Sequence, residues 1–467
     1  MNPVLKKTLF LSVISLITSC SSLTAGNLFS HYSLQNQVLY QSVKAGHYQQ
    51  AIENLPNSVG GDILDNMEKG RVAFLDQQYP ESKQYLEESE RAVQKQQDQA
   101  LISLSESATD IGSLAVNDNL TAYSPGDYEL GFLHLYLGLN YLQENSLEGA
   151  LVEVRKANLV QEQARKSREK TLKQAEAALR KQGVSSNLGA VLSHYPDAGQ
   201  SLQAVQNGYL LYLSALLYEA ADELNNAYVD YRRALAVAPD NKQVIQGTFR
   251  VAEKLSMSED LKQLRKTYGN NPASSRGHGQ IIVIEEQGIV GARHGWTLSL
   301  PFYSYQGTAV HSLALPYYPP GNEEHFPVIR LNDKTLTKSI LTDVNLMARQ
   351  DLTERIPAMV SRLVLRVIAK EQLRRSATNG DDAGNLLFNV WNIITEQPDT
   401  RSWQTLPSKV YSYSSDVAPG EYKLDFERSQ DGEEGYTIKV KSGETVLVWL
   451  SRQGENGTVW HKPLGGL

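Results

Sequence analysis

Cysteine is almost absent: Cys20 is the only one in 467 residues. That excludes a disulfide within the chain and any zinc or iron–sulfur site built from several thiolates. Excess positive charge is also lacking, since 45 basic residues face 52 acidic ones for a formal −7. General nucleic-acid binding, which displaces counterions with a basic surface, is therefore not expected. Long apolar runs are missing too. Gly208–Ala221 is apolar over only 14 residues, and Val360–Ala369 is interrupted by Arg362 and Arg366. Neither is expected to span a membrane, so beyond the N-terminal leader the chain reads as a water-soluble body. Its length is enough for two or three hydrophobic cores.

The placement of the single cysteine is informative. Residues 1–19 read as a secretory leader, with Lys6 and Lys7 as its positive end and Thr8–Leu16 as its apolar stretch. Leu16-Ile17-Thr18-Ser19-Cys20 resembles the bacterial lipobox, in which the cysteine becomes the new N-terminus. The expectation is a diacylglyceryl thioether and an N-acyl chain on Cys20, a covalent lipid and no other cofactor. Three acyl chains exceed the two signals that stable anchoring needs. Ser21, in place of Asp, implies the outer membrane rather than the inner one by resemblance to enterobacterial sorting. Losing the leader removes two basic residues and no acidic ones, which takes the formal charge to −9.

A repeat follows. From Gly138 the chain runs through Tyr141, Leu147, Ala150, Val154 and Ala157; from Ala215 through Tyr218, Leu224, Ala227, Tyr231, Ala234 and Pro239. Gly70 starts a weaker version through Ala73, Tyr79, Ser82, Leu86 and Ser89, 68 residues before Gly138, and Gly46-His47-Tyr48 with Ala51 and Leu55 is a degenerate one. Small residues at the first and fourth offsets let two antiparallel helices approach closely, while aromatic residues and leucines fill their seam. The pattern resembles the tetratricopeptide repeat. In that arrangement Leu64, Met67, Arg71, Phe74, Phe132, Leu135, Leu139, Leu142, Tyr209, Tyr212, Leu216 and Glu219 line the concave face. The expectation is an apolar groove in which Leu135, Leu139, Leu142, Tyr209 and Tyr212 bind a partner helix or apolar segment; the competing reading fills it with this chain's own helices or C-terminal domain. Residues 98–127 read as an insert. Gln161–Lys181 carries seven basic residues, either as a solvated helix or as an arm for acidic partners.

After Gly269-Asn270-Asn271-Pro272 the periodicity changes. Gly279–Glu286 reads as a strand, with others at Thr297–Leu300, Ala309–Leu315, Pro327–Leu331, Ser339–Asp343, Lys409–Tyr413, Tyr422–Phe426, Tyr436–Val440 and Thr445–Trp449. Val344–Arg375 and Ala383–Glu396 read as helices, Pro357 kinks the first, and Asp431–Gly435 and Ser442-Gly443 read as hairpin turns. The expected fold is α+β and multidomain: a leader (1–19), a lipidated N-terminus with a tetratricopeptide-like helical array (20–271), and a mixed domain with antiparallel strands (272–467).

Three segments carry a closer resemblance: Tyr128–Arg155, Ile281–Gly288, and Asp399-Thr400-Arg401-Ser402-Trp403-Gln404-Thr405-Leu406-Pro407. With the lipobox they are similar to a group of uncharacterised gammaproteobacterial outer-membrane lipoproteins with tetratricopeptide-like repeats. The resemblance implies a periplasm-facing protein with an unidentified envelope partner. By analogy with lipoproteins that activate cell-wall synthases, it also implies an accessory role in wall synthesis or secretion.

No catalytic constellation is expected. The nine histidines form no HExxH or paired metal spacing, and no GxSxG elbow or Walker-type loop occurs. Two readings of the Asp399–Pro407 segment stand side by side: a loop anchored by an Asp399–Arg401 bond and a packed Trp403, or a recognition loop with Arg401 exposed. The resulting expectation is a non-enzymatic, membrane-anchored scaffold, with an accessory factor of wall synthesis or secretion, and an enzyme in the C-terminal domain, as the alternatives.

Overall fold

The computed structural model describes residues 32–55, 60–105, 123–163, 202–270, 277–304, 307–321, 324–378, 397–426, 435–454 and 457–465. The leader, Cys20, most of the 98–127 insert, the basic stretch beyond residue 163, and the helix expected at 383–396 lie outside the described residues, wholly or in large part. No helix among the described residues is long and apolar enough to cross a membrane.

The helical half is built from one local device used repeatedly. Helices pair as α1 (Gln37–Lys44) with α2 (Tyr48–Glu53), α3 (Gly61–Leu75) with α4 (Tyr79–Ser105), and α5 (Asp127–Gln143) with α6 (residues 147–163). Further pairs are α7 (Gly208–Ala220) with α8 (Leu224–Val237) and α9 (Lys242–Lys254) with α10 (Ser258–Tyr268). Each pair is joined by three residues whose middle member has positive φ: Gly46, Gln77, Asn145, Asp222 and Ser256. At every one, that residue's N–H donates to the carbonyl three back and the next N–H to the carbonyl five back, as in Gln77 to Phe74 and Gln78 to Ala73. This is the Schellman ending, which satisfies two orphan carbonyls and reverses the chain.

The small residues act as the spacing requires. A Cβ on Gly70 would meet the Leu86 side chain at 2.6 Å, and Gly138 lies 3.5 Å from the Ala150 carbonyl by the same measure. Among the described residues of the 68-residue interval between them there is no intermediate unit, and α4 runs unbroken through the position where one would start. Beyond the expected units, α9 and α10 add a hairpin whose turn lies 34 residues after that of α7 and α8.

The second half stacks two sheets. β1 (Gly279–Gln287) lies at the centre of a five-stranded sheet ordered β11-β10-β1-β7-β6, with β6 (Ser339–Asp343), β7 (Lys409–Val417), β10 (Thr445–Arg452) and β11 (Gly457–Gly465). β1 runs parallel to β10 and antiparallel to β7, so the sheet is mixed rather than wholly antiparallel. A four-stranded sheet of β4 (Arg330–Leu331), β5 (Lys334–Thr335), β8 (Gly420–Asp425) and β9 (Tyr436–Val440) covers one face. The Ser442-Gly443 turn therefore carries the chain from one sheet to the other instead of closing a hairpin. β2 (His294–Ser304) and β3 (Gly307–Tyr317) form a separate pair that packs on α11 (Val344–Thr378), a 35-residue helix containing Pro357.

Alternation along β1 explains its continuous apolar run. Ile282 and Ile284 join the helical array in one core with Leu447 and Trp449, while Ile281 and Val283 join Val446, Val448 and the four-stranded sheet in another. A strand covered on both faces has no position to leave polar for water. The helical array and the central sheet thus share one hydrophobic core.

Candidate functional site

The concave face of the array is where sequence reasoning placed a partner. Leu135, Leu139, Leu142, Tyr209 and Tyr212 are all buried there, as are Leu64, Met67, Arg71, Phe74, Phe132, Leu216 and Glu219. Their cover is this chain's own second half. Phe74 meets Trp449 edge-on at 5.0 Å between ring centroids and Tyr136 meets Trp403 at 6.0 Å, while Phe132 and Tyr209 meet within the array at 6.4 Å. The groove expected to take a foreign helix is filled by the central sheet and the 397–408 segment. Apolar residues of this size leave water wherever cover is available, and the covalently attached sheet is always available.

Polar anchors set the register of that packing. Glu68 on α3 accepts from the Gln404 N–H at 2.7 Å, the Thr405 N–H at 3.1 Å and the Thr405 hydroxyl at 2.5 Å. Glu129 on α5 accepts from the Trp403 N–H at 2.8 Å. Two repeat helices therefore grip three consecutive backbone amides. Burial pushes the Glu68 carboxyl up to about 8 against these donors. At the helix starts, Asn207 Oδ1 caps α7 and accepts from the Thr342 hydroxyl at 3.0 Å. Asn241 caps α9 and donates to the Ile340 carbonyl and the Ser412 hydroxyl, both at 2.9 Å. A normal helix cap here also fastens the array to β6 and β7.

At the centre, Arg71 donates to Glu286 at 2.5 Å and to the Ser451 hydroxyl at 3.0 Å, and its guanidinium sits 4.5 Å from the Tyr136 ring centre. Glu286 also accepts from Tyr136 at 3.2 Å and from the Trp449 indole at 3.0 Å. Burial works against the Arg71 charge, and Glu286 together with Tyr136, Tyr209 and Tyr48 outweighs it, holding Arg71 above its ordinary range. Next along β1, Glu285 points to the opposite face, where Arg452 and Tyr413 donate to it. Period-two alternation splits these adjacent acids between two cores. Sequence reading missed both, since a Glu-Glu pair at a strand end looks like a solvated terminus.

Arg401 is buried, not exposed. Its Nε and terminal nitrogen donate to the two Asp399 carboxylate oxygens at 2.9 and 2.8 Å, and Trp403 is wholly inside. The segment is therefore an anchored loop and not a recognition loop with Arg401 exposed, because a bidentate carboxylate already satisfies the guanidinium. Arg366 is likewise buried rather than a flank charge of its helix.

Among the described residues, one group has metal-like geometry. Ligand atoms of Glu90, His134 and Glu153 lie within 4.8 Å of one another. The Lys156 ammonium, however, donates to Glu90 at 2.8 Å and to Glu153 at 2.9 Å, while His134 Nδ1 is 2.8 Å from Glu153. Burial would raise the Glu153 carboxyl, but His134 and Lys156 together hold it below its ordinary range. The cation that this carboxylate pair needs is supplied by Lys156.

A cleft of about 650 Å³ opens beyond the end of β1 and the start of α11. Lys44, Lys338, Arg349 and Lys409 stand around it with Glu324 and Asp343, and Lys44 pairs with Glu324. The balance is cationic in an acidic chain, which suits a ligand bearing carboxylates or phosphates.

No family model matches the chain, and no curated protein matches it significantly. Among solved structures, it is similar to MamA of AMB-1, with 13% identity and a TM-score of 0.27 over 50% of this chain and 87% of that one. It is also similar to the TPR2AB domain of yeast Sti1 in its pHSP90 complex, with 9% identity and a TM-score of 0.19 over 50% and 88%. Likenesses of this size carry nothing about function.

Proposed function

We propose that this protein is a lipid-anchored scaffold of the outer membrane, facing the periplasm, which holds another envelope protein on the outer surface of its helical hairpins. The observation that carries the reading is the recurrent hairpin itself: an array of one repeated unit whose concave face is already taken, leaving its outer face for a partner. On that outer face Leu159 is 51% and Val229 56% exposed. They flank a cavity of about 260 Å³ between α6 and α8, rimmed by Arg155, Asp230 and Arg233. Exposed apolar residues within a charged rim are the usual make-up of an interaction patch.

Membrane attachment rests on Cys20 in its lipobox-like setting. Fractionation of cells carrying Cys20→Ala tests it: the variant is expected in the soluble periplasmic fraction, and a variant still pelleting with membranes would sink the anchor. For the partner, crosslinking in intact cells should yield a defined adduct that Leu159→Glu with Val229→Glu abolishes. An unchanged adduct would remove this face from the reading.

A further inference from the structure

We propose that the β2–β3 hairpin is a membrane-inserting element, which contributes two strands to a β-barrel closed by further copies of this chain. The absence of a spanning helix does not bear on this, because strands cross bilayers by a different pattern.

Residues 295–322 contain no Asp, Glu, Lys or Arg, a stretch of 28 positions where the 21% average would place about six charges. Within it, β2 and β3 are each 11 residues long and pair in unbroken register from His294 opposite Tyr317 to Ser304 opposite Gly307. A tilted strand needs about 9–11 residues to cross the hydrocarbon core of a bilayer. The lengths match.

The register also sorts composition by face. Trp296, Leu298, Leu300 and Phe302 share one set of alternate positions with Ala309, Leu313 and Leu315 and a single histidine, His311. The other set holds Thr297, Ser299, Tyr303, Thr308 and Ser312 together with Gly295, Pro301, Val310, Ala314 and Pro316. Apolar positions alternating with small, uncharged polar ones are the signature of a strand with lipid on one side and a lumen on the other. Aromatic residues stand near both ends, Trp296 and Tyr317 at the base and Phe302 and Tyr303 towards the tip. Such belts mark the two membrane interfaces.

In this conformation Leu313 and Leu315 are buried against Leu352, Ile356 and Val360 of α11, with Trp296 and Tyr317 beside them, so insertion over all 11 residues requires the base of the hairpin to leave that helix. Among the described residues the pair joins no other strand. In water an open, charge-free edge of this length invites pairing. In hydrocarbon, open edges leave backbone groups unsatisfied at several kcal/mol each, so insertion requires closure. Hairpins from further copies supply it, and the eight-stranded minimum implies at least about four copies.

The test uses the full chain purified from membranes and reconstituted into vesicles of phosphatidylethanolamine and phosphatidylglycerol. Single cysteines at Leu298, Leu300, Phe302, Thr297, Ser299 and Tyr303 are labelled with an environment-sensitive dye. Expected are apolar emission and quenching by lipid-borne nitroxide at 298, 300 and 302, aqueous emission at 297, 299 and 303, and release of trapped dye from the vesicles. Leu300→Asp with Phe302→Asp should cut release at least tenfold while circular dichroism and melting stay as in the wild type. Aqueous emission at all six positions overturns the proposal, as does alternation that needs an added envelope protein. The anchor reading is checked separately: an acylated Cys20 is a thioether and takes no dye. A wild-type chain that labels would refute acylation alone, and the hairpin series then runs with Cys20→Ser.

Discussion

Arg71 of the second helical hairpin and Glu286 of the central strand, 215 positions apart, form a wholly buried ion pair at 2.5 Å. Tyr136, Trp449 and Ser451 supply further hydrogen bonds to the same pair, and within the pair only Arg71 Nη1 is left without one among the described residues. The pair joins the repeat array to the sheet at the middle of their shared core.

Removing one partner should be far worse than removing both. Arg71→Met leaves a buried carboxylate and should cost about 3–5 kcal/mol, whereas Arg71→Met with Glu286→Leu should recover most of it. Urea unfolding of these two variants and of Glu286→Leu alone measures this, and additive losses would refute the pairing argument.

Stability should also carry the mark of Glu68, whose carboxyl is raised to about 8 by burial. Its folded pKa lies above the unfolded value near 4.5, so the folded state holds the extra proton between those limits. The contribution of Glu68 is complete below pH 4.5 and declines by up to about 1.4 kcal/mol per pH unit as pH rises towards 8. The stability gap between wild type and Glu68→Gln should therefore narrow from pH 5 to pH 8. A gap independent of pH would contradict it.

The five hairpin turns place non-glycine residues in the left-handed region at Gln77 and Ser256, both exposed. Gln77→Gly and Ser256→Gly should each stabilise by about 0.5 kcal/mol, since relief of the left-handed strain exceeds the added chain entropy of glycine. Gly46→Ala should do the reverse. Thermal melting distinguishes the signs.

Lys156 stands where the carboxylates of Glu90 and Glu153 would otherwise share a cation. Wild-type melting should be indifferent to zinc or chelator. Lys156→Met should gain a zinc-dependent rise, worth about 2.7 kcal/mol at a hundred times the dissociation constant. A zinc response in the wild type would return the Glu90, His134 and Glu153 group to the metal reading.

The legibility of the repeats depended on which residue sits seven positions before each turn. Gly70, Gly138 and Ala215 occupy that place in three hairpins and announce close helix packing. In the last hairpin the equivalent residue is Phe249, and Leu261 stands where Ala150 and Ala227 stand, so no small-residue signal exists. Its helices are nonetheless capped and buried against the sheet, with Asn241 doing both. Strand positions in the second half were readable from β-branched alternation, but β11 was not: its run from Gly457 is interrupted by Pro463 and polar residues, and it forms by pairing with β10.

By itself the sequence determined the local elements: helical hairpins from small-residue spacing, strands from alternation, and a cysteine in a lipobox-like setting. Those signals arise between residues close along the chain, where geometry is dictated by backbone periodicity. Only tertiary structure decided what covers the concave face. Leu135, Leu139 and Tyr212 look the same in sequence whether their neighbour is a partner or a sheet hundreds of residues away, because burial of apolar surface is non-directional. The direction came from polar groups at fixed geometry, where Arg71 finds Glu286 and Glu68 finds the amides of Gln404 and Thr405.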